Sequence, residues 1–208
     1  MTSSPEHGTL ATFEHRRSRY WFSLNGPLEH GQQTVLPTGE LSTLTDPAGK
    51  FTMDNPFAFD GELLLQGEPI IHRGGQGVSV EETAAAYAAM AHLRTQPVRA
   101  RVEHGSITEI RPVTQGGTQA ARLLADLFDS DERYRKIHEV GFGTSQACLR
   151  LREGNFFPNE RWPGLHLGFG LGGHTPFHID LTCTKIEVNL EAPDGSRLDL
   201  YRSIGLRN

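Results

Sequence analysis

The sequence predicts an α+β fold, a single domain built on a mainly antiparallel β-sheet with two or three helices. Short apolar segments bounded by Gly, Pro, Asn and Asp recur every few residues towards both ends of the chain, as in strands joined by tight turns. Two segments with helix signals lie between them. We expect residues 1–10 to form a flexible N-terminus and residues 11–208 to form the domain.

The first strands are predicted from apolar stretches that end at turn signals. Asn25-Gly26-Pro27 and Pro37-Thr38-Gly39 stop the first two stretches, and Asp-Pro, Asn-Pro and Asp-Gly pairs separate the later ones. The predicted strands are residues 12–24, 33–36, 51–53, 57–59 and 63–65.

The first helix is predicted to begin at Ser79 and to end before Pro97. Ser79 and Glu82 have the spacing of a capping box, in which each side chain bonds to the backbone amide of the other residue. Alanine, the strongest helix former, fills most of positions 84–91.

A hairpin and a second helix are predicted next. The hairpin joins residues 98–104 to residues 107–113 through Gly105-Ser106. The helix has Thr118 as its N-cap, and apolar residues within 123–128 form a helical stripe. The remaining predicted elements are a helical turn at 130–136, strands at 139–144, 165–170 and 177–190, and a final hairpin that reaches 198–204.

Composition and charge argue against several classes of protein. The formal net charge of −5 disfavours non-specific nucleic-acid binding, because such binding requires a basic face. No apolar run approaches the roughly 20 residues of a membrane span, and the first residues carry no signal-peptide pattern. The two cysteines, Cys148 and Cys183, are too few for a disulfide framework, so we expect a cytoplasmic protein.

The motif with the most chemical information is His178-Ile179-Asp180. In a strand, residues i and i+2 lie on one face about 6–7 Å apart, so both side chains can reach one metal ion. His166 lies on an earlier predicted strand, and a tight connection through Gly172-Gly173 would bring it beside His178. Two imidazoles and a carboxylate form many zinc sites and the facial triad of Fe(II) enzymes. The alternative is a polar strand face exposed to water.

Five short motifs follow one another along the chain. They are Pro37-Thr38-Gly39-Glu40, Glu139-Val140-Gly141-Phe142-Gly143-Thr144, His166-Leu167-Gly168-Phe169-Gly170, Gly172-Gly173 and His178-Ile179-Asp180. This order resembles the catalytic domain of the thermophilic metallo-aminopeptidases of the aminopeptidase T and S type. The iron-dependent 2,5-dihydroxypyridine dioxygenases are similar to the same domain. The resemblance covers residues 33–204.

The resemblance implies five metal ligands and a pair of divalent ions that share a carboxylate. Zn, Mn, Co and Fe all suit such a ligand set, and a metal-free site is the alternative. As structural alternatives, the glutamates would be solvated or paired with Lys136, and the first histidine would be a hydrogen-bonded core residue. The implied ligands are Glu40, Glu139, His166, His178 and Asp180.

Several neighbouring residues are predicted to be structural. His138 would point away from Glu139 in a strand, and Cys183 would lie in the core, on the face opposite His178. Arg150 and Arg152 alternate with leucines as in a half-buried strand, with a carboxylate clamp as the alternative.

Two departures from the family pattern indicate a reduced relative. The sequence has no counterpart of the additional N-terminal domain of those peptidases. The tyrosine that follows the first histidine motif is also missing, and His174 is the alternative proton donor. Relatives of this reduced kind are peptide-binding partners in the biosynthesis of ribosomally made peptides such as the crocagins.

The resemblance therefore implies three candidate functions. The first is a peptide-binding protein that assists the modification or processing of a ribosomally made peptide, with a free sheet edge accepting the peptide as an added strand. The second is a metal-dependent aminopeptidase or other hydrolase, and the third is a non-haem Fe(II) ring-cleaving dioxygenase. Expected partners are a precursor peptide and either a second copy of the chain or a partner enzyme, because losing a covering domain exposes apolar surface. Nucleic acid and membrane are not expected partners.

Overall fold

The structure, a computed structural model, describes residues 1–13, 20–23, 30, 40–45, 58–73, 77–170 and 174–206. The strands in these ranges are β1 (Thr2–Ser4), β2 (Thr9–Phe13), β3 (Tyr20–Ser23), β4 (Glu40–Thr45), β5 (Phe59–Leu65), β6 (Gly67–Arg73), β7 (Val98–Glu103), β8 (Ser106–Pro112), β9 (Ile137–Gly143), β10 (Leu165–Phe169), β11 (Phe177–Cys183), β12 (Glu187–Glu191) and β13 (Arg197–Asp199). The α-helices are α1 (Val80–Met90), α2 (Thr118–Ser130), α3 (Phe156–Arg161) and α4 (Leu200–Ser203). Short 3-10 turns lie at Pro5–His7, Ala91–Arg94, Gln115–Gly117 and Glu132–Arg135.

The strands pair antiparallel in two sheets, which confirms the predicted α+β fold. One sheet has the order β13-β12-β1-β2-β5-β7-β8, and the other has the order β3-β4-β9-β10-β11-β6. Only Gln66 separates β5 in the first sheet from β6 in the second. In the described ranges, α1 and α2 are the long helices, and no helix is long and apolar enough to cross a membrane.

The N-terminal residues are part of the first sheet, whereas the sequence predicted a flexible segment at 1–10. Strand β1 pairs with β2 on one side and with β12 on the other, and Thr2 and Ser4 are buried. The amino group of Met1 donates a hydrogen bond of 2.8 Å to the carbonyl of Asn189. The pairing partner β12 lies near the other end of the chain, so the local sequence carries no sign of it.

Local signals explain both long helices, with one difference from the prediction. The capping box is present, because Ser79 Oγ accepts from the Glu82 amide at 3.0 Å and Glu82 Oε2 accepts from the Ser79 amide at 2.7 Å. At α2, Thr118 is the first helical residue and not the N-cap, which is Gly117. The Thr118 hydroxyl instead donates to the carbonyl of Gln115, so the 3-10 turn leads directly into the helix.

One apolar cluster joins the two sheets and α2. Leu63 and Val98 come from the first sheet, Leu167 and Ile179 from the second, and Phe128 from α2. All residues of β9 and β10 are buried, so these central strands have two buried faces. Cys183 lies in this core, as the alternation predicted.

Other predicted elements are partly confirmed. The hairpin β7–β8 is present, with a turn at His104 and Gly105, which both have positive φ. The final hairpin forms between β12 and β13, and α4 replaces its predicted extension. Arg150 and Arg152 lie in an irregular segment before α3, so the predicted strand there is wrong. The predicted strands at 33–36 and 51–53 lie outside the described residues.

Candidate functional site

The candidate site lies on the second buried face of the central strands. The sheet register aligns Glu139 on β9, Gly168 on β10 and Asp180 on β11 in one row. His166 lies two residues before Gly168 on β10, and His178 lies two residues before Asp180 on β11. Because these strands are antiparallel, the two histidines lie on opposite sides of that row. The alternation of strand residues places these side chains on one face, opposite the apolar core.

Two glycines make the room that these side chains occupy. A Cβ atom on Gly168 would lie 2.5 Å from Glu139 Cβ and 2.9 Å from Asp180 Oδ1. A Cβ atom on Gly141 would lie 1.8 Å from His166 Nε2. Any larger residue at either position would therefore displace the charged side chains, so the glycines define a space for polar groups on an otherwise crowded sheet.

Four of the five predicted ligands are brought together. His178 Nε2 lies 2.9 Å from Glu139 Oε2 and 3.2 Å from Asp180 Oδ1, and His166 Nε2 lies 3.4 Å from Glu139 Oε1. His178 Nδ1 contacts the carbonyl of Gly170 at 3.1 Å, which fixes the ring orientation. His166 pairs with Thr182 and not with His178, so Glu139 is the residue that links the two histidines.

The fifth predicted ligand, Glu40, begins β4 and pairs with Gly143 of β9. This position is two residues along β9 from Gly141, next to the row that holds His166. The structure describes the position of Glu40 in the strand but not its side chain, so its role as a ligand stays a prediction.

Two further residues extend the cluster from Asp180 and were missed by the sequence analysis. His72 Nε2 on β6 lies 3.2 Å from Asp180 Oδ2 and 3.4 Å from Glu160 Oε1 on α3. His72 pairs with His178 across β6 and β11, and the two rings lie 5.6 Å apart. A strand pattern in residues 68–72 could have indicated His72, but no local signal marks Glu160, because α3 has only six residues.

Burial and ion pairing act in opposite directions on the ionisable groups. Burial alone lowers the pKa of His178, but the negative charges of Asp180 and Glu139 raise the pKa well above its usual value. Burial also lowers the pKa of His72, but the hydrogen bonds to Asp180 and Glu160 have the larger effect and raise this pKa to about 9. Burial raises the pKa of Asp180, but the positive charge of His178 more than compensates and lowers the pKa. In the metal-free cluster, imidazolium–carboxylate pairs therefore offset part of the desolvation cost of the buried groups.

The arrangement also fits a divalent cation. Glu139, His178 and Asp180 each offer one ligand atom, and these atoms lie within 4.8 Å of one another. Asp180 Oδ1 is buried and lies 3.2 Å from His178 Nε2, but it accepts no well-aligned hydrogen bond in the described structure, so this oxygen can offer a lone pair to a cation. Imidazole nitrogen and carboxylate oxygen are ligands of Zn, Mn, Co and Fe.

Other residues of the motifs lie away from this cluster. His138 is buried, and strand alternation places it on the opposite face from Glu139. His174 is exposed, and its role as a proton donor stays a prediction. Phe169 packs against Phe128, with ring centroids 6.2 Å apart, on the core side of β10.

Comparison with solved structures defines the class of fold. Wild-type AmpT from Thermus thermophilus matches 96% of this chain with a TM-score of 0.54 and 19% sequence identity. The chain spans about half of AmpT, 47% of its length, so the domain has the fold of that part of AmpT. The 2,5-dihydroxypyridine dioxygenase from Pseudomonas putida KT2440 matches 73% of the chain and 40% of its own length, with 20% identity and a TM-score of 0.43.

The family model described as "Crocagin biosynthetic protein CgnE/B" matches residues 39–191, more than half of the chain. The protein therefore belongs to this family of crocagin biosynthetic proteins, which confirms the predicted resemblance. The matched range includes every predicted metal ligand as well as His72 and Glu160. A comparison with curated protein sequences finds no match.

Proposed function

We propose that the protein binds a ribosomally made peptide and assists its modification or processing in crocagin-type biosynthesis. The observation that carries this proposal is a buried cluster of ionisable side chains in a member of a family of biosynthetic proteins. The cluster consists of Glu139, His166, His178 and Asp180. Burying several ionisable groups costs stability, and such clusters concentrate at functional sites. The cluster is thus the best candidate for the group that recognises the peptide.

The exposure of the cluster indicates the side from which a peptide would approach. The side chains of His166 and Asp180 are 1% and 3% exposed, whereas His72 on β6 is 31% exposed. Within the part of the chain that the structure describes, β6 is the last strand of its sheet. An extended peptide can add to such an edge through backbone hydrogen bonds and place a polar group beside His72.

Helix α1 is anchored to the first half of that strand. Glu68, near the start of β6, accepts hydrogen bonds from Tyr87 Oη at 2.7 Å and from Arg94 Nε at 2.6 Å. These contacts anchor α1 and the following 3-10 turn at the Glu68 end of β6. The His72 end adjoins the charged cluster and contacts Glu160 of α3, and it is the end at which we propose that the peptide binds.

Fluorescence anisotropy with a labelled synthetic crocagin precursor peptide tests this proposal. We expect a dissociation constant well below millimolar, and a loss of about tenfold or more in His72→Ala, which corresponds to roughly 1.4 kcal/mol. The control variant is Arg111→Ala, on β8 at the edge of the other sheet. Affinity no better than millimolar, or equal loss in both variants, would contradict peptide binding at this edge.

We also propose Glu139, His166, His178 and Asp180, with Glu40, as ligands of a divalent cation, and metal-dependent hydrolysis is the second candidate function. A divalent cation bound there would polarise a peptide carbonyl and lower the pKa of a bound water. Glu139 and Asp180 would hold the cation, and the Gly170 carbonyl would orient His178. The test is release of amino acids from short peptides with Zn, Co or Mn, compared between the wild type and His178→Ala. No turnover with any of these metals would contradict hydrolysis.

The dioxygenase alternative has less support from the site. Phe169, the aromatic residue of the His166 motif, packs against Phe128 on the core side of β10 and not beside the charged cluster. Oxygen consumption with Fe(II) and an aromatic diol would support this alternative.

A further inference from the structure

We infer that the cluster contains a second cation position, formed by His72, Glu160 and the Oδ2 oxygen of Asp180. The inference rests on the proposed first position at Glu139, His178 and Asp180 Oδ1, with which it shares the aspartate. Asp180 would then be a bridging carboxylate, with one oxygen facing each position.

The distances at the second position match those of a metal-binding set. Tetrahedral ligands at roughly 2.0–2.1 Å from a metal lie roughly 3.3 Å from one another. His72 Nε2 lies 3.2 Å from Asp180 Oδ2 and 3.4 Å from Glu160 Oε1. The three ligand atoms also lie within 4.8 Å of one another, as at the first position. Small movements would therefore suffice to bind a cation between them.

The second position lies on the side of β11 that the five motifs do not reach. Strand β10, which carries His166, and then β9 lie on one side of β11, and β6, which carries His72, lies on the other side. The resemblance drew its ligands from β4, β9, β10 and β11. His72 and Glu160 are therefore additional ligand candidates that the motifs do not include.

Glu160 is held in place by a buried support. Asn159, the preceding residue, is fully buried and exchanges two hydrogen bonds of 2.8 Å with the backbone of Arg152. The carbonyl of Asn159 also accepts from Thr182 Oγ1 on β11. Helix α3 is thereby fixed to the strand that carries Asp180, as expected for a preorganised ligand.

The central aspartate presents one oxygen to each position. Asp180 is 2% exposed, its Oδ1 lies 3.2 Å from His178 Nε2 of the first position, and its Oδ2 lies 3.2 Å from His72 Nε2 of the second. A bridging role between two cations would use both oxygens. Two-metal sites with a shared carboxylate place their ions roughly 3.5–4 Å apart, a separation that one carboxylate can span.

The test is the metal content of the chelated and reconstituted protein. The full chain is stripped with a chelator, loaded with excess Zn²⁺ or Co²⁺, desalted and measured by elemental mass spectrometry, with the Co²⁺ visible spectrum as a second readout. We expect two equivalents in the wild type, and one in His72→Ala and in Glu160→Gln. His178→Ala should also bind one equivalent, but at the second position, so its Co²⁺ spectrum should differ from that of His72→Ala. Asp180→Asn should lose both equivalents.

The control for non-specific binding is the surface pair of His104 and Asp60, whose side-chain atoms lie 3.6 Å apart. His104→Asn keeps a residue type that tolerates the positive φ at this position, and it should retain two equivalents. Circular dichroism checks the folding of each variant. If His72→Ala does not fold, Glu160→Gln decides the question, because its amide keeps the shape of the side chain.

Each pattern of results separates the two positions from each other and from peptide binding. One equivalent that His72→Ala retains and His178→Ala loses would overturn the second position and support the first. Two equivalents in every variant, or none in the folded wild type, would also overturn it. Peptide affinity is measured with chelator and with Zn²⁺, so the failure of the cation positions does not decide the peptide proposal.

Discussion

Strands β9 and β10 bury both of their faces, and β11 does so from Ile179 onwards, but the two faces differ in chemistry. Leu167 and Ile179 on one face belong to the apolar cluster that joins both sheets. Glu139, His178 and Asp180 on the other face form a charged cluster. Burial of apolar area stabilises the fold at about 25 cal/mol per Å², whereas ion pairs at similar depth contribute little net stability. The apolar face therefore accounts for stability, and the charged face is the one available for binding.

The largest expected effect comes from the apolar face. Leu167 is fully buried in β10, next to Gly168 of the charged face. We expect Leu167→Ala to lower the free energy of unfolding by about 2–5 kcal/mol, because it removes apolar contacts and leaves a cavity. Urea denaturation measures the loss, and peptide affinity of the folded protein should stay within about twofold. A small loss of stability with a large loss of affinity would reverse the assignment of the two faces.

The next effect comes from filling the space between the charged side chains. Gly168→Ala would place a methyl group against Glu139 and Asp180, and we expect it to cost about 1–3 kcal/mol. Unlike Leu167→Ala, it should also weaken peptide and Zn²⁺ binding, because the cluster itself must move. The matched control is Gly116→Ala, whose added methyl group would have Thr114 Oγ1 as nearest neighbour at 3.7 Å. Equal effects of both alanines would show that the space at Gly168 is unimportant.

A smaller effect should appear in the pH dependence of the chelated, metal-free protein. The pKa of His72 is raised from 6.5 to about 9 in the folded state, where Asp180, Glu160 and His178 face it. Its protonation therefore stabilises the fold fully below pH 6.5, and this contribution is lost as the pH rises to about 9. Thermal melts should show a falling melting temperature over that range, with a shallower fall in His72→Ala. An identical slope in the variant would contradict the ion pairing of His72.

The smallest effect concerns thiol reactivity and leaves stability unchanged. Burial raises the pKa of the Cys183 thiol to about 12, so this thiol stays protonated near neutral pH. Cys148 is partly exposed. Titration with a coloured disulfide reagent should modify one thiol in the native protein and two in denaturant. Rapid labelling of both native thiols would indicate that the core around β11 opens easily.

The sequence predicted the central strands and one half of the site for a clear reason. Residues such as His178 and Asp180 belong to short motifs with the strand period, so their common face follows from local geometry. His72 was missed because its place beside His178 depends on the pairing of β6 with β11, which lie far apart in sequence. Glu160 was missed because the six-residue helix that carries it has no periodic pattern. Long-range pairing also explains why the N-terminal strand was not predicted.

Within the described ranges β6 is the last strand of its sheet, and this position has a kinetic consequence. Edge strands open by local fluctuation more often than strands that are paired on both sides. His72 belongs to such a strand, whereas His178 belongs to β11, which is held between β6 and β10. Ligands bound on the His72 side should therefore exchange with solvent faster than ligands bound on the His178 side. The amide protons of residues 70–72 should accordingly exchange with deuterium before those of residues 178–180.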